Sequence, residues 1–555
     1  MTKNKPTIKP FLYLLIILNI FSSPLHAQLL NNSKHEIYTR KDSLRGYLNE
    51  KRLFDVKKYN LEVKVDIEKQ FISGVNHIDF TINTPLPIMQ LDLFSNMKVD
   101  SIVYKNKKLN YTREFNAVFI NLPKNIPLDN KQQLSFYYSG NPKIAKNAPW
   151  DGGFIFTTDS LGNPWVSVAV QGTGASLWFP NKDHQSDEPD EGAEINIIVP
   201  ETLVAVSNGK LTHTEALPKQ LKKYSWKVVN PINNYNIILN IGNYTLIEDK
   251  FNQLALKYYV LEQHKKEALK QFAQVKPMLA CFYQKFGEYP FTEDSYKLVE
   301  TPFLGMEHQS AIAYGNHFKN GYLGKDLSQT GIGLKWDFII VHESAHEWFG
   351  NSITAADIAD MWIHEAFTSY AEAVFVECQW GTPDALSYLE GVQKIISNTS
   401  PIIGDYGVNK EGSPDMYYKG ANMLNSIRST INDDKAWWEL LKNFSISFKH
   451  RITNSEEVIA YFDKHTKAKL TPIFKHYLYQ PEIPILEIKK HKKGIAYRWK
   501  NTAKNFRMPV EIVVNQKSIR LKPSSKRWKK IKNITPQQVT INHKRFYVAL
   551  KINEN

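Results

Sequence analysis

"VHESAHEWFG", Val341 to Gly350, decides how this chain of 555 residues is read. Two histidines stand four residues apart, and a glutamate follows the first. The run from Leu334 to Phe349 has helix composition and meets a stop at Gly350-Asn351. Helix residues four apart lie one above the other on one face, so His342 and His346 can aim their imidazoles at one ion. Glu343 projects about 100° further round the axis. It is badly placed as a third ligand, but it can reach a water beside the ion. This is the H-E-x-x-H arrangement of two zinc ligands and a general base. The pattern alone also fits a half-buried helix with incidental histidines.

A catalytic zinc needs a third protein ligand and an open fourth position. The next helical stretch, "IADMWIHEAFTSYAEAVFVECQWG", runs without proline to Gly381. Glu365 sits within it among Trp362, Ala366 and Phe367. A carboxylate in such surroundings is costly unless it is paired or bound to a cation. Glu372, seven residues on, shares that face and is placed to orient a histidine ring from behind. The plainer alternative for Glu372 is a solvated residue on an amphipathic helix.

H-E-x-x-H followed by a glutamate in W-x-x-E-x-F resembles the M1 family of zinc aminopeptidases, the gluzincins of the aminopeptidase N and leukotriene A4 hydrolase type. HESAHEWFGNSIT keeps the family's Trp348, Gly350, Asn351 and Thr354 in register. The family's N-E-G-F becomes His364-Glu365-Ala366-Phe367. The resemblance implies one Zn2+ per chain, held by His342, His346 and Glu365, with Glu343 as the base.

Three further segments carry the resemblance. In "FLGMEHQSAIAYG" the exopeptidase motif G-x-M-E-N falls on Leu304 to His308, with Met306 and Glu307 matching. Leu304 and His308 depart from it. Glu307 is then the residue that binds a substrate's free amino terminus, and Gly305 and Met306 fall where the peptide meets the motif. In "DMYYKGANML" the family's Y-E-K-G aligns on Tyr417, Lys419 and Gly420, which makes Tyr417, rather than Tyr418, the donor to the oxyanion. In "VAVQGTGASLWFPNKDHQSDEP" alignment on Phe179-Pro180 puts the second amine-binding position on Gln171.

The chain opens with three lysines, an apolar run "FLYLLIILNIF" and a small-residue stretch ending at Ala27-Gln28. This is the pattern of a secretory signal peptide over residues 1–27, and it implies a periplasmic or extracellular enzyme. No transmembrane span is expected after cleavage. Residues 28–52 read as a linker. Alternating strands from 53 to 248 indicate an antiparallel, saddle-like β domain. Residues 249–484 read as a thermolysin-like, mostly helical zinc peptidase domain, and 485–555 as a small β-sandwich, so the fold class is α+β and multidomain. Cys281 and Cys378 lie in apolar helical surroundings; the sequence leaves a disulfide between them open, and free buried thiols are the first expectation.

Charge is unevenly placed. Residues 485–555 hold 19 lysines and arginines against three acids, a net of +16, whereas the whole chain is +15. The plainer reading of the basic tail is a solvated face of a β-sandwich; the alternative is weak contact with an anionic surface, and the leader argues against nucleic acid as that partner. The expected substrates are peptides with a free N terminus. Two other readings compete. A leukotriene A4 hydrolase-like epoxide hydrolase has no positive sign in the sequence. A zinc-stabilised adhesion module has no need of a general base.

Overall fold

The computed structural model describes residues 38–553, so the leader expected over residues 1–27 lies outside the described residues. The first domain is built on alternation. In Asp55–Asp66 the buried residues Tyr59, Leu61, Val63 and Val65 alternate with outward-facing ones, and a bulge between Val56 and Lys58 resets the face. This strand pairs antiparallel with Phe71–Thr81 and parallel with Ala193–Pro200, inside an eight-stranded sheet. A four-stranded and a three-stranded sheet complete the β domain.

The described part of residues 28–52 is not a free linker. Arg40–Gly46 is a helix, and Glu50–Arg52 is one 3₁₀ turn. Both are tied down by charge. The Arg52 guanidinium is buried and donates to Asp92 at 2.5 Å, and Gln90 donates to the Leu44 carbonyl at 2.8 Å. A buried guanidinium is tolerated only when paired in this way.

The strand Tyr244–Phe251 forms a hairpin with Leu254–Leu261, in a sheet that continues through Tyr296–Glu300, Ile312–Tyr314 and the edge strand Gly305–Met306. Residue 248, the expected end of the β domain, lies inside this hairpin. The helices follow. The motif helix spans Phe338–Ala345 rather than starting at Leu334, because Asp337 caps it. Asp337 Oδ1 accepts from the amides of Ile339 and Ile340, and Oδ2 accepts from Gln271 and Tyr314. Such a cap contributes about 1 kcal/mol. The ladder breaks at Phe349 and Gly350, whose backbone angles are not helical.

Trp362–Trp380, the glutamate helix, is buried on every face as far as Val376. It is apolar nearly all round, as a central helix must be. Tyr418–Ile431, the tyrosine helix, packs directly on it. A Cβ at Gly420 would lie 2.4 Å from the Ala366 Cβ, so only glycine permits this approach beside Glu365. The Lys419 ammonium is buried and donates to the carbonyls of Gln480 and Pro481, which ties this helix to the end of the domain.

Cys281 and Cys378 form a disulfide, contrary to the expectation of free thiols. The helix Val275–Phe286 packs on the glutamate helix and brings the two Cα atoms to 5.9 Å, a packing that sequence separation could not reveal. Residues 485–553 form a four-stranded and a three-stranded sheet. The last strand of the four-stranded sheet is Ala549–Asn553. Among the described residues, no helix is long and apolar enough to cross a membrane.

Candidate metal centre and amine clamp

His342 and His346 lie in adjacent turns and present Nε2 to the same point. Glu365 Oε2 is 3.7 Å from His342 Nε2 and 3.4 Å from His346 Nε2. Candidate ligand atoms of all three residues lie within 4.8 Å of one another. The other ring nitrogens are occupied. His342 Nδ1 faces Glu372 Oε1 at 2.7 Å, and Tyr388 donates to Glu372 Oε2 at 2.6 Å. His346 Nδ1 lies 3.0 Å from the Phe349 carbonyl and 3.2 Å from Thr368 Oγ1. With Nδ1 donating backwards, both Nε2 atoms are free to accept a cation. Glu372 is thus a buried orienting carboxylate, not a solvated one.

Glu365 Oε2 is buried and lacks a hydrogen bond. A lone oxygen of this kind facing two imidazoles is placed to hold a cation with them, and a two-nitrogen, one-oxygen set suits zinc. The protons show the same need. Burial opposes a charge on His342, yet Glu365 and Glu372 outweigh it and raise its pKa well above the ordinary value. Burial likewise opposes ionisation of Glu365, and the two imidazoles overcome it, holding the carboxyl well below the usual range. The site wants positive charge at its centre.

A second set of candidate ligand atoms, from Glu307, Glu343 and His346, also lies within 4.8 Å of one another. Glu307 Oε1 already accepts from Gln171 Nε2, and from Tyr235 O–H at 3.3 Å. Two carboxylates and an amide already engaged make a poorer cage for zinc than the first set. Burial pushes Glu343 up to about 7, against the pull of His342 and His346. A Cβ at Gly305 would sit 2.9 Å from Glu343 Oε1, so a side chain there would crowd the glutamate. Met306 is mostly buried beside it in the edge strand.

Tyr417 stands at the start of the tyrosine helix, its ring stacked 6.1 Å from that of His342. Burial raises its pKa far above the ordinary value, and Glu365, Glu411, Glu307 and Glu343 add to the effect. Its hydroxyl is therefore a neutral donor within the cluster. Tyr418 is raised by burial and then by Glu372. It faces the back of the site.

The structure thus brings together His342, His346, Glu365, Glu343, Glu307, Gln171 and Tyr417. Sequence reading missed two participants. Tyr235 lies in an asparagine-rich turn with no spacing that ties it to Glu307. Arg45, in the supposed linker, donates to the carbonyls of Gly172 and Thr173 at 2.8 and 2.7 Å and pairs with Asp183 at 3.2 Å. It pins the loop that carries Gln171. Glu307 is held from below, where Asn351 donates to its carbonyl at 2.7 Å and accepts from Asn236 at 2.9 Å. His364, in the family's asparagine position, accepts from the Ala355 amide at 2.8 Å. His308 is buried, with no hydrogen-bond partner for either ring nitrogen, and nothing in the structure explains it.

Residues 270–477 match the family model described as Peptidase family M1 domain, and residues 56–235 match that of the Peptidase M1 N-terminal domain. Among curated proteins, the chain is 21% identical to probable aminopeptidase 1 of Saccharolobus solfataricus, over 73% of this chain and 52% of that protein. It is 24% identical to aminopeptidase N of Mus musculus, over 65% of this chain and 41% of that one. The chain spans about half the length, or less, of these relatives. Among solved structures, the M1 zinc metallopeptidase of Deinococcus radiodurans aligns with a TM-score of 0.64 at 19% identity, covering 78% of this chain and 94% of that one. A mutant of it bound to a Tyr-Ser-Ala substrate aligns equally well, at 18% identity.

Proposed function

Because this chain belongs to peptidase family M1, both of whose domains it carries in order, we propose that it is a zinc-dependent aminopeptidase that removes the first residue of peptides. One observation carries the reading. The carboxylate Glu307 lies within 4.8 Å of both His346 and Glu343, so a bound ammonium leaves room for one residue before the metal centre. Glu307, Gln171 and Tyr235 hold the free amine, and an ammonium on a buried carboxylate gains a charge-assisted hydrogen bond that a blocked terminus lacks. A zinc ion held by His342, His346 and Glu365 would supply the Lewis acidity that polarises the scissile carbonyl and acidifies water. Glu343 accepts the proton of the attacking water and returns it to the departing amine. Tyr417 donates its O–H to the developing oxyanion.

The reading includes export. The leader-like residues 1–27 motivate it, and the disulfide between Cys281 and Cys378 supports it, since such bonds persist in oxidising compartments. Zinc content measured beside hydrolysis of an aminoacyl anilide tests the enzyme assignment. One zinc per chain, with activity lost to a chelator and restored by zinc, is expected. Activity that survives removal of the metal would overturn it.

A further inference from the structure

The four-stranded sheet of the tail runs in the order Lys529–Lys532, Gly494–Lys500, Ile485–His491, Ala549–Asn553. Its register fixes which side chains share a face. Glu487 stands beside Arg498 on one side and Lys551 on the other; Lys489 pairs with Ala496, and Ala496 with Lys530. Gly494 pairs with Lys532, and Ile485 with Lys500. Alternation then sends Leu486, Ile488, Ile495 and Trp499 to the buried face. The outer face carries Lys489, Arg498, Lys500, Lys530, Lys532 and Lys551, all at least partly exposed.

Among the described residues this face has one carboxylate, Glu487, and it is already spent. Only 3% exposed, it accepts from Arg498 at 2.6 Å and from Asn553 at 3.1 Å, with Lys500 at 3.7 Å. Trp528 lies under the Lys489 ammonium and the Arg498 guanidinium, at 4.6 and 4.4 Å from its ring centroid. The sheet thus gathers like charges across neighbouring strands, an arrangement that opposes pairing unless a counter-charge arrives from outside. The rest of the chain, at a net −1, does not supply it.

We propose that this face docks the protein on an anionic lipid bilayer. Two features point to a bilayer rather than a polymer chain. The cations form a two-dimensional array across four strands rather than a single line along which one strand of polyanion would lie. Trp528 adds an amphipathic ring of the kind that suits the headgroup level. Contact is peripheral, because among the described residues from 485 onward no large apolar side chain is exposed.

The test is co-sedimentation of the full chain with phosphatidylcholine vesicles, with and without phosphatidylglycerol. Binding to the anionic vesicles alone is expected. It should fall steeply between about 0.01 M and about 0.15 M salt, as the screening length shrinks from about 30 Å to about 8 Å. Changing Lys489, Lys530, Lys532 and Lys551 together to Gln should weaken it by about a hundredfold or more. Changing the exposed Lys64, Lys98, Lys107 and Lys108 of the β domain to Gln removes the same charge and should leave it within about twofold, which separates a located face from net charge. A thermal melt close to native for both variants excludes misfolding as the cause. Equal loss in the two variants overturns the proposal, as does equal binding to neutral vesicles. Capture by dextran sulfate through these four lysines without vesicle binding overturns it too, and identifies a soluble polyanion instead.

Discussion

The metal cluster and the amine clamp both border His346, yet they are built in opposite ways. The three metal-facing residues sit on two packed helices, and their orienting partners, Glu372 and Thr368, come from the same glutamate helix. The clamp is assembled from distant parts. Gln171 comes from a loop of the β domain, Tyr235 from a 3₁₀ turn, and Glu307 from the residue after an edge strand. Its fixings are contacts to backbone, from Arg45 to the Gln171 loop and from Asn351 to the Glu307 carbonyl. The difference teaches where damage should be felt. Changes to the first region should cost the ion or the turnover number. Changes to the second should leave the ion and turnover in place and cost recognition of the amine.

The largest effect is expected from Glu365→Ala. It removes the oxygen that two imidazoles face, so zinc content should fall to near zero and anilide hydrolysis below detection. Full zinc occupancy in this variant would show that another residue, Glu307 or Glu343, closes the cage. Glu343→Gln comes next. It is nearly isosteric, so zinc should stay, while kcat should fall by about 10²- to 10⁴-fold. Metal analysis and steady-state kinetics on the same sample decide it, and near-native turnover would remove Glu343 from the chemistry.

Tyr417→Phe should follow, with kcat lower by about 10²-fold and KM little changed, because the lost O–H serves the transition state. Tyr418→Phe is its control and should be close to silent, since that ring faces Glu372 at the back of the site. If Tyr418→Phe is the crippled variant, the stacking of Tyr417 on His342 has been misread. The smallest effect sharpens the comparison most. Arg45→Ala frees the Gln171 loop and should raise KM for free-amine substrates by about tenfold, near the worth of one charged hydrogen bond, with kcat and zinc kept. Arg45→Lys should recover part of the loss. A fall in zinc content here would mean that the two regions are not independent.

How much of this was legible in the sequence follows from the same contrast. His342, Glu343 and His346 were readable because helical spacing translates directly into facing side chains, and Glu365 because a carboxylate among apolar neighbours on the next helix calls for a cation. Tyr417 and Glu307 were readable through short motifs, in the first of which Gly420 is required by the close approach to Ala366. Tyr235 was not, since it meets Glu307 only when the β domain packs on the rest of the chain, and Arg45 was not, since its partners Gly172, Thr173 and Asp183 lie far along the chain. Arg52 and Asp92 show why the segment before the β domain was misjudged. A stretch of mixed charge reads as solvated until its counter-charges, far along the chain, are placed against it. The disulfide failed for a related reason, because the helices that carry two cysteines 97 residues apart had to be packed first. In the tail the strands alternated clearly enough to be expected, but which lysines share a face depends on register, and composition does not carry that.

The central claim is that Glu307 reads the free amine beside the metal centre. Two peptides that differ only by an acetyl group on the first nitrogen test it directly, given to the native protein and to Glu307→Ala with zinc measured in both. The native protein should release the first residue of the free peptide and leave the acetylated one nearly intact. Glu307→Ala should keep its zinc and lose most of that preference, with KM for the free peptide raised. Cleavage of both peptides at similar rates by the native protein, or cleavage at an internal bond, would contradict the account.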